Sequence, residues 1–151
     1  MEMKMRVETL PNYRLAYVRK VGPYGNENME AMEQLKDWAA RNNLMSSALI
    51  FGIPQDNPTI TLPENCRYDA CVVITNDFKL DVGSIAETEF SGGKYAVFLV
   101  KHTEDAIQQA WIDIFTIIEN SNYQMDNKPI IERYTADMIS HDYCELCVPL
   151  I

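Results

Sequence analysis

The sequence predicts a single α+β domain in which antiparallel strands form a sheet and two helices lie on one face. Eight segments are rich in β-branched and aromatic residues, whereas only two show a helical spacing of apolar residues. Most connections between predicted strands are too short to hold a crossover helix, which favours antiparallel pairing. The 151 residues fit one domain covering 1–151, long enough to bury a core without disulfides or a structural metal.

The eight predicted strands are bounded by Gly, Pro or Asn residues. In chain order they cover residues 4–9, 13–21, 48–52, 68–75, 82–90, 94–101, 130–135 and 143–149. The small residues Ser91, Gly92 and Gly93 predict a hairpin turn between the fifth and sixth strands.

Two segments, 28–42 and 103–120, predict amphipathic helices, because their apolar residues recur at spacings of three and four. The first stripe consists of Met29, Met32, Leu35, Trp38 and Ala39, and the second of Ile107, Trp111, Ile114, Phe115 and Ile118. Thr103, which precedes Glu104 and Asp105, predicts the N-cap of the second helix. Trp38 is interpreted as a core residue, whereas Trp111 fits either the core or a binding site.

The order strand, strand, helix, strand, strand occurs twice, with the break near residue 78. This repetition predicts an internal duplication with halves of about 1–78 and 79–151, although few residues are identical between the halves. We expect the two halves to flank a cleft along a pseudo-twofold axis. Clefts between packed substructures are common binding sites for small molecules.

The charge of the chain excludes some classes of partner. Its 22 acidic and 13 basic residues give a net charge of −9, and the basic residues form no cluster that could hold a phosphate backbone. Direct binding to nucleic acid is therefore not expected. The sequence has neither an apolar run of about 20 residues nor the pattern of a signal peptide, so we expect a cytoplasmic protein without membrane contact.

The four cysteines do not predict a metal site or a cofactor. Cys144 and Cys147 form a C-x-x-C pattern inside a predicted strand, where residues three apart point to opposite faces. Cys66 and Cys71 have no histidine nearby in sequence to complete a zinc site. His102 lacks an adjacent nucleophile in a recognisable arrangement and is interpreted as solvated.

Glu145 is the most informative single residue. Strand alternation places it on one face of the segment 143–149, whereas the other face of that strand is uniformly apolar. By comparison of the two halves, we expect Glu145 to share a face with Tyr68. A buried carboxylate is costly unless it lies at the solvent edge, pairs with Lys or Arg, or awaits a cationic or hydrogen-bonding ligand, and all three remain open.

Five motifs together resemble the GyrI-like small-molecule-binding family. They are VGPYG (21–25), RYDACV (67–72), GGKYAVFLVKHT (92–103), SNYQMDNKPIIERY (121–134) and CELCVPL (144–150). The family includes the effector-binding domains of AraC-type and multidrug-responsive regulators and the gyrase inhibitory proteins. The resemblance implies duplicated β-α-β-β type halves that form a curved antiparallel sheet with two helices on its concave face.

The same resemblance implies five ligand-binding residues. The acidic residue on the last strand of the family corresponds to Glu145, the aromatic residue on the second helix to Trp111, and a tyrosine before the final connection to Tyr134. Tyr68 and Tyr24 lie in matching motifs. The expected function is non-catalytic binding of small amphipathic molecules that are aromatic and often cationic, since a carboxylate beside aromatic faces favours such cations.

Two alternatives remain open at this stage. In a hydrolase of strained electrophilic natural products, Glu145 would act as a general base on water. In an interaction protein that resembles the gyrase inhibitors, the acidic surface would compete with DNA for a basic groove of gyrase. Met1 lies close to the first predicted strand, which favours a stand-alone protein over a domain excised from a regulator.

Overall fold

The computed structural model describes residues 4–80 and 85–151, without the side chains of Asn26 and Glu27. It contains eight strands and three helices in these residues. The strands are β1 (Arg6–Leu10), β2 (Tyr13–Val21), β3 (Leu49–Pro54), β4 (Arg67–Ile74), β5 (Ala86–Phe90), β6 (Gly93–Lys101), β7 (Ile131–Thr135) and β8 (Tyr143–Pro149). The helices are α1 (Asn26–Arg41), α2 (Glu104–Glu119) and α3 (Ala136–Ser140).

The strands form one antiparallel sheet in the order β1-β6-β8-β7-β3-β4-β2-β5. The α+β class and the curved antiparallel sheet are therefore confirmed. The start of the predicted strand 82–90 lies outside the described residues. The short helix α3 was not predicted, because its five residues are too few to show a helical period.

Helices α1 and α2 lie on the same face of the sheet, which we call the helix face. Leu35 and Trp38 of α1 and Ile114 of α2 belong to one buried cluster with the residues that strands β3, β4, β6 and β8 direct toward them. The hydroxyl of Thr103 accepts a hydrogen bond from the backbone N–H of Ala106, as an N-cap does. No described helix is long and apolar enough to cross a bilayer.

A second buried cluster lies on the face without helices, which we call the inner face. It includes Phe51, Phe90 and Tyr95. The rings of Phe90 and Tyr95 are 6.0 Å apart, although β5 and β6 are six positions apart in the sheet. The sheet therefore curves around the inner face, and α1 and α2 lie on the outer side of the curve, not on the concave face that the resemblance implies.

Two very short links produce this curvature. Pro11 and Asn12 join β1 to β2, and Ser91 and Gly92 join β5 to β6. Because β1 and β5 form the two edges of the sheet, each link runs between opposite ends of the strand order. The predicted hairpin at 91–93 is wrong, because β5 pairs with β2 and not with β6.

The strand order supports the proposed duplication into halves of about 1–78 and 79–151. Exchanging β1 to β4 with β5 to β8 reverses the order of the sheet and leaves it otherwise unchanged. In this arrangement, the first strand of each half pairs with the second strand of the other half. The axis that relates the halves would pass between β3 and β7 in the middle of the sheet.

The contact between the two links predicts a steric requirement at Gly92. A Cβ atom at this residue would overlap the carbonyl oxygens of Leu10 and Pro11, and the Gly92 N–H donates a 2.7 Å hydrogen bond to Asn12. We expect Gly92→Ala to lower the free energy of unfolding by about 1 to 3 kcal/mol in urea denaturation. The neighbouring change Ser91→Ala is the control, and equal stability of the two variants would contradict this account.

Candidate functional site

The candidate site lies in the middle of the helix face. Helix α1 packs mainly on β2 and β4, and α2 packs on β6, so the centre of the sheet lies between the two helices. Here Gly52 of β3 is paired directly with Glu132 of β7. Glu132 faces the helix side, because Tyr134 two residues later belongs to the helix-face core.

Tyr68 fills the space that the missing side chain of Gly52 leaves. A Cβ atom at Gly52 would overlap the hydroxyl group of Tyr68, so this side chain lies across the glycine. Burial raises the pKa of Tyr68, and the negative charge of Glu132 raises it further. The phenol therefore stays neutral, and its buried ring packs in the helix-face core beside Glu132.

Tyr134 connects Glu132 to His102. The Tyr134 hydroxyl donates a 2.6 Å hydrogen bond to Glu132 Oε2 and lies 3.4 Å from His102 Nε2. The rings of Tyr134 and His102 meet edge to face with centroids 5.3 Å apart. Burial raises the pKa of Tyr134, and the charge and hydrogen bond of Glu132 add to the effect. His102 is exposed, as interpreted from the sequence, but its contact with Tyr134 was not predicted.

Glu132 differs from the buried acidic residues elsewhere in the sheet. Its side chain is half-buried, and no described Lys or Arg residue forms a salt bridge with it. The hydrogen bond from Tyr134 holds the carboxylate in place but does not neutralise its charge. The centre of the helix face thus combines one carboxylate with the aromatic rings of Tyr68 and Tyr134.

Trp111 and Tyr24 lie at the border of the same core cluster. Trp111 is half-buried, and its ring stacks on Phe115 with centroids 6.1 Å apart. The hydroxyl of Tyr24 donates a 2.8 Å hydrogen bond to the Arg67 carbonyl and accepts a 3.0 Å bond from the Asp56 N–H. Tyr24 therefore anchors the loop between β3 and β4, and only its ring remains to contact a ligand.

Glu145 lies on the inner face and not with these aromatic residues. The expectation that Glu145 shares a face with Tyr68 is wrong, because the alignment of the two halves behind it is shifted by one residue. Tyr68 belongs to the helix-face core, whereas Cys147, two residues from Glu145, belongs to the inner core. The buried acidic residue Asp69 of β4 is the counterpart of Glu145 in this alternation.

Two arginines neutralise Glu145. Arg6 Nη2 donates to Glu145 Oε2 at 2.6 Å, and Arg133 Nε donates to Oε1 at 3.0 Å. The sequence left three environments open for this carboxylate: the solvent edge, a pair with Lys or Arg, or a ligand. In the structure, Glu145 is paired with arginine. Since both carboxylate oxygens accept from guanidinium groups, the geometry supports neither a ligand-binding role for Glu145 nor its use as a free general base.

Glu8 completes this ion-pair network by accepting a 2.6 Å hydrogen bond from Arg133 Nη2. Burial by itself would raise the pKa of Glu8, but the hydrogen bond and charge of Arg133, together with Arg6, lower it below the usual 4.5. Because the pKa of Glu8 is lower in the folded state, its ion pair with Arg133 stabilises the fold above pH 4.5. This stabilisation is lost as the pH falls below 4.5.

The C-x-x-C cysteines lie on opposite faces, as the strand alternation predicted. Cys144 belongs to the helix-face core and Cys147 to the inner core. Burial raises the pKa of each thiol to about 12. Within residues 4–80 and 85–151, no group of three or more His, Cys, Asp or Glu residues is arranged to hold a metal ion.

The ion pairs of Glu145 predict a structural role that can be measured. We expect Glu145→Gln to lower the free energy of unfolding by about 3 kcal/mol at neutral pH, because Arg133 would keep its charge in a buried environment with one partner fewer. The matched control is Glu87→Gln, which removes the same charge from an exposed pair with Arg14 and should change stability little. Equal urea midpoints for the two variants would refute the structural role.

Comparison with known proteins identifies relatives over most of the chain. A protein of Bacillus subtilis (strain 168) that carries the name of an SPbeta prophage-derived transcriptional regulator is 46% identical over 153 residues, covering 98% of this chain and 99% of that protein. The DNA gyrase inhibitor of Escherichia coli (strain K12) is 29% identical over 129 residues, covering 83% of this chain and 82% of that protein.

Solved structures share the fold at low sequence identity. The EcmrR C-terminal domain has a TM-score of 0.71 at 15% identity, covering 100% of this chain and 99% of that domain. SAV2435, whose structure was determined bound to tetraphenylphosphonium, has a TM-score of 0.56 at 15% identity, covering 99% of this chain and 94% of that protein. The family profile described as the GyrI-like small molecule binding domain matches residues 3–151. The chain therefore belongs to the GyrI-like small-molecule-binding domain family.

Proposed function

We propose that the protein binds small amphipathic molecules, aromatic and often cationic, at the centre of the helix face. The observation that carries this proposal is the half-buried Glu132, which lies without a described salt bridge beside Tyr68 and Tyr134. Family membership supports a small-molecule ligand, and the charge and aromatic surface of the site argue for its chemical class.

A delocalised cation satisfies both features of the site. Contact with Glu132 would neutralise the carboxylate, and each aromatic face adds about 0.5 to 2 kcal/mol of cation–π attraction. A strongly hydrated ammonium would lose more hydration than a lipophilic cation whose charge is spread over apolar groups. The proposed ligand therefore carries its charge inside an apolar or aromatic body.

The hydrogen bond between Tyr134 and Glu132 would orient the carboxylate for this contact. The hydroxyl donates to Oε2, and Oε1, which accepts no hydrogen bond from the residues that the structure describes, would contact a ligand. Trp111 and Tyr24 extend the aromatic surface at the border of the cluster and would contact the apolar part of a larger ligand. The proposal therefore gives Glu132 the ligand-binding role that the family resemblance implied for Glu145.

Tetraphenylphosphonium is a suitable probe, because it is a lipophilic cation and is bound in the structure of SAV2435. We expect calorimetric titration to show saturable binding that Glu132→Gln weakens about tenfold, equivalent to about 1.4 kcal/mol. Neutral triphenylphosphine oxide should bind the wild-type protein and Glu132→Gln with similar affinity. It carries no positive charge, so it makes no ionic contact with Glu132 that the substitution could remove.

The matched control for this experiment is Glu33→Gln, which removes the same charge from an exposed position on α1. Its affinity for tetraphenylphosphonium should equal that of the wild-type protein. The proposal fails if the cation does not bind, or if Glu33→Gln and Glu132→Gln weaken binding equally, since the effect would then come from the net charge alone.

Inhibition of DNA gyrase is a second candidate function, favoured by the 29% identity to the Escherichia coli gyrase inhibitor over 83% of the chain. The net charge of −9 would allow the protein to compete with DNA for a basic surface. We expect a purified gyrase supercoiling assay to show inhibition that weakens as salt is raised. Full supercoiling activity at low salt with excess protein would exclude this function.

A further inference from the structure

We propose that the inner face carries a second ligand site, which binds a small organic carboxylate. The site is a groove of about 380 Å³ between the curved ends of the sheet. This volume is within the range of about 300 to 1,000 Å³ that is typical of small-molecule sites. The groove lies on the opposite face from Glu132, so it is separate from the site of the proposed function.

The polar wall of the groove is built around Asp69, which is only 2% exposed. Arg19 donates to both carboxylate oxygens of Asp69, with Nε at 2.7 Å and Nη2 at 2.8 Å, and Gln55 donates to the same carboxylate at 3.0 Å. Asp69 is thereby neutralised, and it holds the guanidinium in a fixed orientation. Arginine has five N–H donors, so three remain for a further acceptor.

Lys128 provides a second cation at the groove. Its described salt bridge, to Asp126, is long at 3.7 Å, and its side chain is 45% exposed. Glu89 also borders the groove, but strand alternation directs its side chain away from the inner face, since the adjacent Phe90 belongs to the inner core. Since the charges of Arg19 and Asp69 cancel, Lys128 is the cation that the groove offers to a ligand, and its long contact with Asp126 leaves room for a closer acceptor.

The remaining wall is apolar and aromatic. Phe90, Tyr95 and Ile131 line the groove and belong to the inner core, which fixes their positions. A carboxylate with a short apolar body would place its charge between Lys128 and the free edge of Arg19, and its body against these side chains. Charged donors bind carboxylates through short, strong hydrogen bonds, and a planar guanidinium adds directional specificity.

The probe is 3-phenylpropionate, and its neutral analogue 3-phenyl-1-propanol is the control ligand. We expect nuclear magnetic resonance titration of ¹⁵N-labelled protein to show saturable shifts at the backbone amides of Ser91 and Lys128, with a Kd about tenfold lower for the acid than for the alcohol. Equal affinity for the two probes, shifts confined to the helix face, or no saturation up to about 10 mM would overturn the proposal.

Two variants separate this site from the proposed function. Lys128→Gln should raise the Kd for 3-phenylpropionate several-fold, and Arg19→Lys should do the same while keeping a positive charge beside Asp69. Glu132→Gln should leave this Kd unchanged, because it lies on the other face. An effect of Glu132→Gln equal to that of Lys128→Gln would contradict a separate site, whatever the outcome with tetraphenylphosphonium.

Discussion

The ion pair between Arg133 and Glu145 ties the central part of the sheet to its edge. Arg133 lies on β7 and Glu145 on β8, and both reach partners on the edge strand β1 through Glu8 and Arg6. A buried pair contributes less to stability than its attraction implies, because both charges lose hydration. Its stronger effect is on register, since a shift of one residue would turn Arg133 and Glu145 to the opposite face.

Strand β7 also determines the chemistry of the helix face. Arg133 points to the inner face, so its neighbours Glu132 and Tyr134 point to the helix face. The guanidinium of Arg133 therefore pairs with carboxylates on the inner face, and Glu132 lies on the helix face beside two tyrosines without a described salt bridge. Gly52, which is paired with Glu132, has no side chain, and Tyr68 occupies the space that this leaves.

Much of this fold could be predicted from the sequence, because each element has a strong local pattern. The stripes of α1 and α2 and the alternation of β8 are properties of short segments, and the structure agrees with them. The pairing of β5 was not predictable in the same way. A turn sequence at 91–93 fits a hairpin, and only the curvature of the whole sheet shows that β5 pairs with β2.

The candidate site shows the same division between local and distant information. Tyr68 and Tyr134 could be found from motifs, but Arg6 lies 139 residues from Glu145 and no local pattern connects them. Glu132 was overlooked although it stands two residues before Tyr134, where strand alternation places it on the same face. A comparison of Glu145 with Asp69, and not with the residues around Tyr68, would have indicated the inner face.

The position of a bound lipophilic cation tests the central claim most directly. Nuclear Overhauser contacts between tetraphenylphosphonium and protein protons would place the ligand without any change to the sequence. Our account predicts contacts to the ring protons of Tyr68 and Tyr134, on the helix face beside Glu132. Contacts to the side chains of Cys147 and Val97 on the inner face, with none to the two tyrosines, would contradict it.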